Sequence, residues 1–283
     1  KEAIPNIKLF QTSYGNIVEI SKIILDFNID TVIHLGAFAA VPDSVINPRI
    51  YYENNVSNTA MLLSACINCK IKNFIFSSSA SVYGDQFGKI DESFSKHPIN
   101  PYGNTKLICE TMIKDYAQAY NFNYCCFRYF CAAGANNFAH IGEAHNPETH
   151  LIPVMIKKSL KNEPFQVFGN NYSTPDGTCI RDFVHVIDIA RAHIMAIDYL
   201  NNNQKSDIFN LGSEKLYSVL DIIKEYNKIH PVTYQISTPR QGDPAMLYAN
   251  IDKAYSVLGW KPINSDIKNI LESAYQWEIE RTY

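Results

Sequence analysis

Residues 77 to 106 hold serine hydroxyls, a tyrosine and a lysine at a spacing that could move a proton on and off an alcohol. The hydroxyls run Ser77-Ser78-Ser79 ahead of Ala80-Ser81-Val82-Tyr83-Gly84, and the second group reads Tyr102-Gly103-Asn104-Thr105-Lys106. A phenol with an ordinary pKa near ~10 is a poor base at neutral pH, but an ammonium one helical turn away favours the phenolate and makes tyrosine a usable proton carrier. A serine hydroxyl can hydrogen-bond the same substrate oxygen. Removing the alcohol proton completes an oxidation only if a hydride also leaves the carbon, so the set implies a nicotinamide cofactor as acceptor.

These groups meet only if a strand and a helix bring them together, and the flanking residues predict both. Lys72-Asn73-Phe74-Ile75-Phe76 suits a buried strand with the serines at its carboxyl end. Asn100-Pro101 supplies an N-cap and a proline at the first helical position, which puts Tyr102 and Lys106 four apart on one face of a helix over 101–120. Around this pair the pattern alternates. A helical stripe over 17–27 precedes a strand over 30–37, a helix over 54–69 precedes the strand at 73–78, and a strand over 124–130 follows. Such alternation predicts right-handed βαβ crossovers and a parallel sheet, in which ligands bind outside the carboxyl ends of the strands. Gly36 and Ala37, Ser77 to Ser79, and Tyr129 to Cys131 all arrive at that edge.

The order "SSSASVYGDQ" then "PYGNTK" resembles the extended short-chain dehydrogenase/reductase family, and within it the UDP-glucose/UDP-galactose 4-epimerase branch. Three later stretches, "GEAHNPETHLIP", residues 168–188 from Phe168-Gly169 through Arg181-Asp182 to Asp188, and "RQGDPA", are similar to that branch in the same order. The resemblance implies a Rossmann-like doubly wound parallel α/β sheet with a smaller α/β substrate lobe. Residues 1–130 and about 181–212 would form the NAD-binding domain, and 131–180 with 213–283 the UDP-sugar lobe. It implies Tyr102, Ser79 and Lys106 as the catalytic set, and Leu35, Gly36, Ala37, Asn54, Ser77 and Tyr129, with Tyr102 and Lys106, as NAD contacts. Ser79, Cys131, His150, Leu151, Phe168, Arg181, Arg240, Asp243 and Leu247 would face the UDP-sugar, the two guanidiniums on its diphosphate. Asp182, His185 and Asp188 are expected to fix loop and helix ends. Leu247, where a bulky residue excludes N-acetyl groups, implies activity on UDP-galactose with tolerance for UDP-N-acetylgalactosamine.

Three departures from the branch pattern concern binding: Ser13 in place of an Asp, Ala39 in place of a Lys, and Cys131 in place of an Asn. They keep a non-catalytic dinucleotide or UDP-sugar module open as an alternative. A dehydratase or decarboxylase of the same fold is disfavoured, because Ala80-Ser81 follow Ser79 where the dehydratases carry Asp-Glu. No G-x-G-x-x-G or G-x-x-G-x-x-G occurs, and the resemblance implies a further βαβ unit of about 40 to 50 residues ahead of Lys1.

Composition agrees with a small-molecule enzyme. The 283 residues are 46% hydrophobic and 19% charged with a net charge of −3, which gives no electrostatic reason to expect nucleic acid or a membrane surface. No apolar run reaches the ~18 residues of a membrane span. The seven cysteines are scattered and suit reduced thiols in the cytoplasm. No metal site is expected, since His145 and His150 stand five apart in a loop without an acidic set at coordination spacing. A homodimer through helices 54–69 and 101–120 is a further expectation from the resemblance.

Overall fold

The structure, a computed structural model, describes residues 7–86, 88–240 and 244–281. In chain order the strands are β1 (Thr31–His34), β2 (Asn73–Ser79), β3 (Lys89–Ile90), β4 (Asn123–Tyr129), β5 (Cys131–Ala133), β6 (Phe165–Phe168), β7 (Ile180–His185), β8 (Asp207–Leu211), β9 (Leu216–Ser218), β10 (Tyr234–Ser237) and β11 (Met246–Ala249). The first sheet is parallel throughout, in the order β1-β2-β4-β8. Its central strand β2 reads as a continuous apolar run because both faces are covered. Phe74 and Phe76 pack with Leu62, Leu63, Cys109 and Ile113 on one side, while Ile75 packs with Ala192, Ala196 and Leu200 on the other. Each such side chain is worth roughly 2 kcal/mol on burial, and a one-residue slip would exchange the faces, so the register that delivers Ser77 to Ser79 is fixed by the hydrophobic pattern.

The remaining strands build a second region. β6 pairs in parallel with β10, and a mixed sheet runs β3-β11-β7-β5 with β9 antiparallel to β7. Its core gathers Ile152, Met155, Ile156, Phe165, Val167, Phe183, Ile222, Tyr226, Ile270 and Leu271. After these excursions the chain returns to the first sheet as β8, which pairs in parallel with β4. β3, β7, β9 and β11 are not evident from periodicity: they are short and lie among turn-forming residues, so their pairing depends on partners distant in the chain.

The helix over Pro101–Tyr120 starts as the sequence predicts. The Asn100 side chain accepts from the Gly103 N–H at 2.8 Å, and Pro101 occupies the first turn. A Cβ on Gly103 would stand 2.6 Å from the Ser81 carbonyl oxygen, so glycine is what lets the amino end of this helix close onto the serine loop. The predicted helix at 54–69 is in fact two segments, a wide π-type turn at Tyr52–Ser57 running into Asn58–Asn68. No helix among the described residues is long and apolar enough to cross a membrane.

Candidate active site

β2 and the helix over Pro101–Tyr120 bring Ser77, Ser79, Tyr102 and Lys106 together on one wall of a cavity of about 480 Å³. The Tyr102 hydroxyl is hydrogen-bonded to the Ser79 side chain, and Ser79 Oγ also accepts from the Ser81 N–H at 3.1 Å, which holds the serine in place. Lys106 Nζ donates to the Ser77 carbonyl oxygen at 2.7 Å and lies 5.8 Å from the centre of the Tyr102 ring. Its side chain is 3% exposed, and burial pushes its pKa down to about 8.

That geometry corrects one expectation. The i, i+4 spacing predicts that Lys106 makes the Tyr102 phenol more acidic; instead burial raises the Tyr102 pKa, and the opposing influence is the Ser79 hydrogen bond. The reason is burial of the phenol, which outweighs the Ser79 hydrogen bond. The Lys106 ammonium donates to the Ser77 carbonyl, and in the protein by itself Tyr102 keeps its proton beside Ser79.

A buried polar layer stands behind this wall. Arg128 on β4 forks onto Glu110, with Nε to Oε1 at 2.9 Å and Nη2 to Oε2 at 2.6 Å, and Ser78 Oγ donates to the same carboxylate at 2.5 Å. Arg128 Nη1 reaches the Tyr83 hydroxyl, which donates to Asn210 Oδ1. Glu110 lies four residues beyond Lys106, so the Tyr102 face of the helix is bolted to the strand that carries the serines.

The cavity takes in most of the remaining expected positions. Leu35, Ala37 and Tyr129 line it at the strand ends, and Cys131, His150, Leu151, Phe168, Arg181, Arg240 and Leu247 line it from the second region. Arg181 Nη1 donates to the Pro244 carbonyl oxygen at 2.7 Å, and in the parallel β11–β7 register Leu247 stands beside it. The Arg240 guanidinium lies 3.9 Å above the Phe168 ring, a cation–π contact between two residues expected to face the UDP-sugar. Asp243 falls outside the described residues.

Two expected cofactor contacts are not brought into the cavity. Gly36 packs behind Tyr14, whose ring a Cβ would meet at 3.0 Å. Asn54 donates to the neighbouring Asn55 Oδ1, and it is Asn55 that is buried, accepting from Phe38 N–H at 2.8 Å and donating to Phe38 O and Thr105 Oγ1. Asn55 thereby ties the loop after β1 to the catalytic helix. The expected structural trio behaves as such. Asp182 accepts from Ser213, Glu214 and Ala249; Asp188 accepts from Asn264 and Ser265; His185 caps the helix over Val186–Asn203.

Other residues of the site are missed by the sequence. Tyr129 is hydrogen-bonded both to the Ser77 side chain and to His193 Nε2 at 2.8 Å, while His193 Nδ1 meets the Ile189 carbonyl. Nothing in the spacing of 77, 129 and 193 announces that chain. Glu143 and Thr149 also line the cavity. Moreover Glu143 and Glu148 converge with His145 and His150, their ligand atoms all within 4.8 Å of one another, so the premise that these histidines lack an acidic set does not hold once the loop folds.

His34, at the end of β1, is 4% exposed, accepts or donates one hydrogen bond to Thr59 Oγ1 at 2.9 Å, and has its pKa lowered to about 3 by burial, with the Lys106 charge adding to the effect. Unfolded, it would titrate near ~6.5, so between pH 6.5 and 3 the unfolded chain binds the extra proton and stability falls as pH falls. By pH 4 the loss from this residue is roughly 3 kcal/mol. Urea unfolding of His34→Gln should show a pH 7 to pH 4 loss smaller than wild type by about that amount, with buried His185 and His193, both also lowered, supplying the residual slope. An unchanged slope would contradict a neutral His34.

The site and fold define a class before any single activity: the chain belongs to the NAD dependent epimerase/dehydratase family, whose model matches residues 1–212. Within it, the chain is similar to the UDP-glucose 4-epimerase of Halalkalibacterium halodurans, 42% identical over 260 residues that span 90% of this chain and 78% of that one. Among solved structures, the UDP-glucose 4-epimerase from Brucella ovis in complex with NAD superposes with a TM-score of 0.89 at 39% identity, covering 94% of this chain and 83% of that one. The enzyme from Bifidobacterium longum in complex with NAD+ and UDP gives 0.90 at 35% identity, over 96% and 83%.

Proposed function

We propose that the protein catalyses NAD-dependent epimerisation at C4 of a UDP-hexose, interconverting UDP-galactose and UDP-glucose. The observation that carries this reading is the Tyr102–Ser79 hydrogen bond beside buried Lys106, on the wall of one cavity whose far side presents Arg181 and Arg240. The residues fit the nicotinamide end of the cofactor. Lys106 offers three N–H groups, one of which goes to Ser77 O, and among the described residues it makes no second hydrogen bond, so donors are left for ribose hydroxyls. Ser77 and Tyr129 stand beside it. Bound NAD supplies the reversible hydride acceptor for C4 and a positively charged ring.

The proton is handled by the chain. Tyr102 removes it from the sugar 4-hydroxyl and returns it after the transient 4-keto sugar has turned its other face, while Ser79 holds the same oxygen. Arg181 and Arg240 grip the diphosphate, which keeps the nucleotide in place while the sugar rotates. Ala80 and Ser81 offer no acid or base that could expel water or a carboxyl group, so the reaction is confined to one proton shuttle. Incubation with NAD and UDP-galactose, followed by chromatography of the nucleotide sugars, should yield UDP-glucose; retention of UDP-galactose without conversion would favour a binding module.

Leu247 sets the sugar pocket at intermediate width, admitting UDP-N-acetylgalactosamine beside UDP-galactose. Leu247→Tyr is expected to lower kcat/KM for the N-acetylated sugar at least about tenfold more than for the plain one, the scale of a lost pocket fit. Equal effects on both sugars would remove Leu247 from the specificity determinants. The reaction belongs to a reducing, cytoplasmic setting, which the buried thiols of Cys66, Cys109, Cys125 and Cys126 suit. Two copies pair through helices 54–69 and 101–120, where Met61 and Ile108 are exposed; a monomeric mass by sedimentation would overturn the pairing.

A further inference from the structure

Residues 141–150 pass along the cavity rim before the helix over Leu151–Leu160, and four side chains of this loop point at one another. Glu143 Oε1 meets both imidazoles, His145 Nδ1 at 2.9 Å and His150 Nδ1 at closer range, and the two rings stand nearly perpendicular at 88°. His145 Nδ1 is 3.5 Å from Glu148 Oε1. The Glu148 side chain is only 5% exposed, and its Oε2 is buried without a hydrogen-bond partner, the nearest cation being Lys157 Nζ at 3.8 Å. The backbone beneath is held, since Trp277 Nε1 donates to the Glu143 carbonyl at 2.8 Å.

We propose that Glu143, His145, Glu148 and His150 form a binding site for a borderline divalent transition-metal ion, Zn2+ or Co2+, at the rim of the cavity. Two imidazole nitrogens and two carboxylates are the donor set such ions prefer, whereas Mg2+ and Ca2+ take oxygen ligands. With ligand bonds of about 2.0–2.2 Å, a tetrahedral ion needs donors about 3.3 Å apart. The separations present, all within 4.8 Å, reach that with small rotations of His145 and His150, whose side chains are about half exposed. An ion there would engage the buried Glu148 carboxylate, one of whose oxygens has no hydrogen-bond partner, and pin residues 143–150 together. Because Glu143 and His150 also line the cavity, it would stiffen the rim at which a ligand enters.

The test is a titration of chelator-stripped protein with Zn2+ by calorimetry and with Co2+ by visible spectroscopy, beside His145→Ala and the more conservative His145→Gln. His145 is exposed, so both variants should match wild type in circular dichroism and melting temperature without metal. The expected result is one ion per chain, a Co2+ spectrum of the intense tetrahedral type, and affinity at least about 100-fold weaker in both variants. The melting temperature should rise on adding Zn2+ in wild type alone. Absence of binding to wild type, binding undiminished in His145→Ala, or Mg2+ binding as tight as Zn2+ would each overturn the site.

Discussion

Tyr102→Phe is expected to lower kcat for UDP-galactose by about a thousandfold, within the ~10²–10⁴ that general acid–base catalysis contributes, while the affinity for UDP stays within about twofold. The substitution deletes one oxygen and keeps the ring on the cavity wall. The group lost is the partner of Ser79 and the carrier of the substrate proton; Arg181 and Arg240 are untouched. Burial raises the phenol's pKa in the protein by itself, and Ser79 is the side chain that opposes the rise. Ser79→Ala should therefore displace the alkaline-side ionisation seen in the rate upward as well as slow the reaction. A Tyr102→Phe enzyme retaining a tenth or more of the wild-type rate would assign the proton to another group.

Arg128→Ala is expected to cost about 3–5 kcal/mol of folding stability, the penalty for leaving one member of a buried ion pair alone. Arg128 and Glu110 side chains are 2% and 4% exposed, and the loss would strand a carboxylate that also anchors Ser78. Replacing both partners by methionine removes the stranded charge and should recover much of the loss. The coupling is measurable by urea unfolding of the two single variants and the double variant. Single variants that lose less than about 1 kcal/mol would mean that water reaches the site and that the helix bearing Tyr102 is not bolted to β4 through this pair.

The catalytic wall was legible in the residues because its determinants are local. An apolar run, an Asn-Pro helix start and an i, i+4 pair each specify their own stretch of chain, and Gly103 permits the close approach that joins them. What was not legible depends on orientation or on distant partners. Spacing places Lys106 one turn from Tyr102 but says neither that its ammonium turns to Ser77 O nor that burial outweighs it, and so mistakes the direction in which the phenol's pKa moves. Asn54 and Asn55 are adjacent amides in the sequence, yet only the wide helical turn at Tyr52–Ser57 decides that Asn55 faces inward. The strands β7 and β11, which carry Arg181 and Leu247 into the cavity, pair across more than sixty intervening positions and have no alternation long enough to announce them. The Glu143 to His150 cluster is a property of a folded loop, invisible as a linear motif.

The central claim is that the hydrogen at C4 leaves and returns within one cavity while Tyr102 alone exchanges the hydroxyl proton. Its most direct test is the conversion of UDP-galactose deuterated at C4, followed by mass and NMR analysis of the product. The account predicts that UDP-glucose retains the deuterium at C4 when the reaction is run in ordinary water. Deuterium lost to solvent, or product formed with no label at C4, would contradict it.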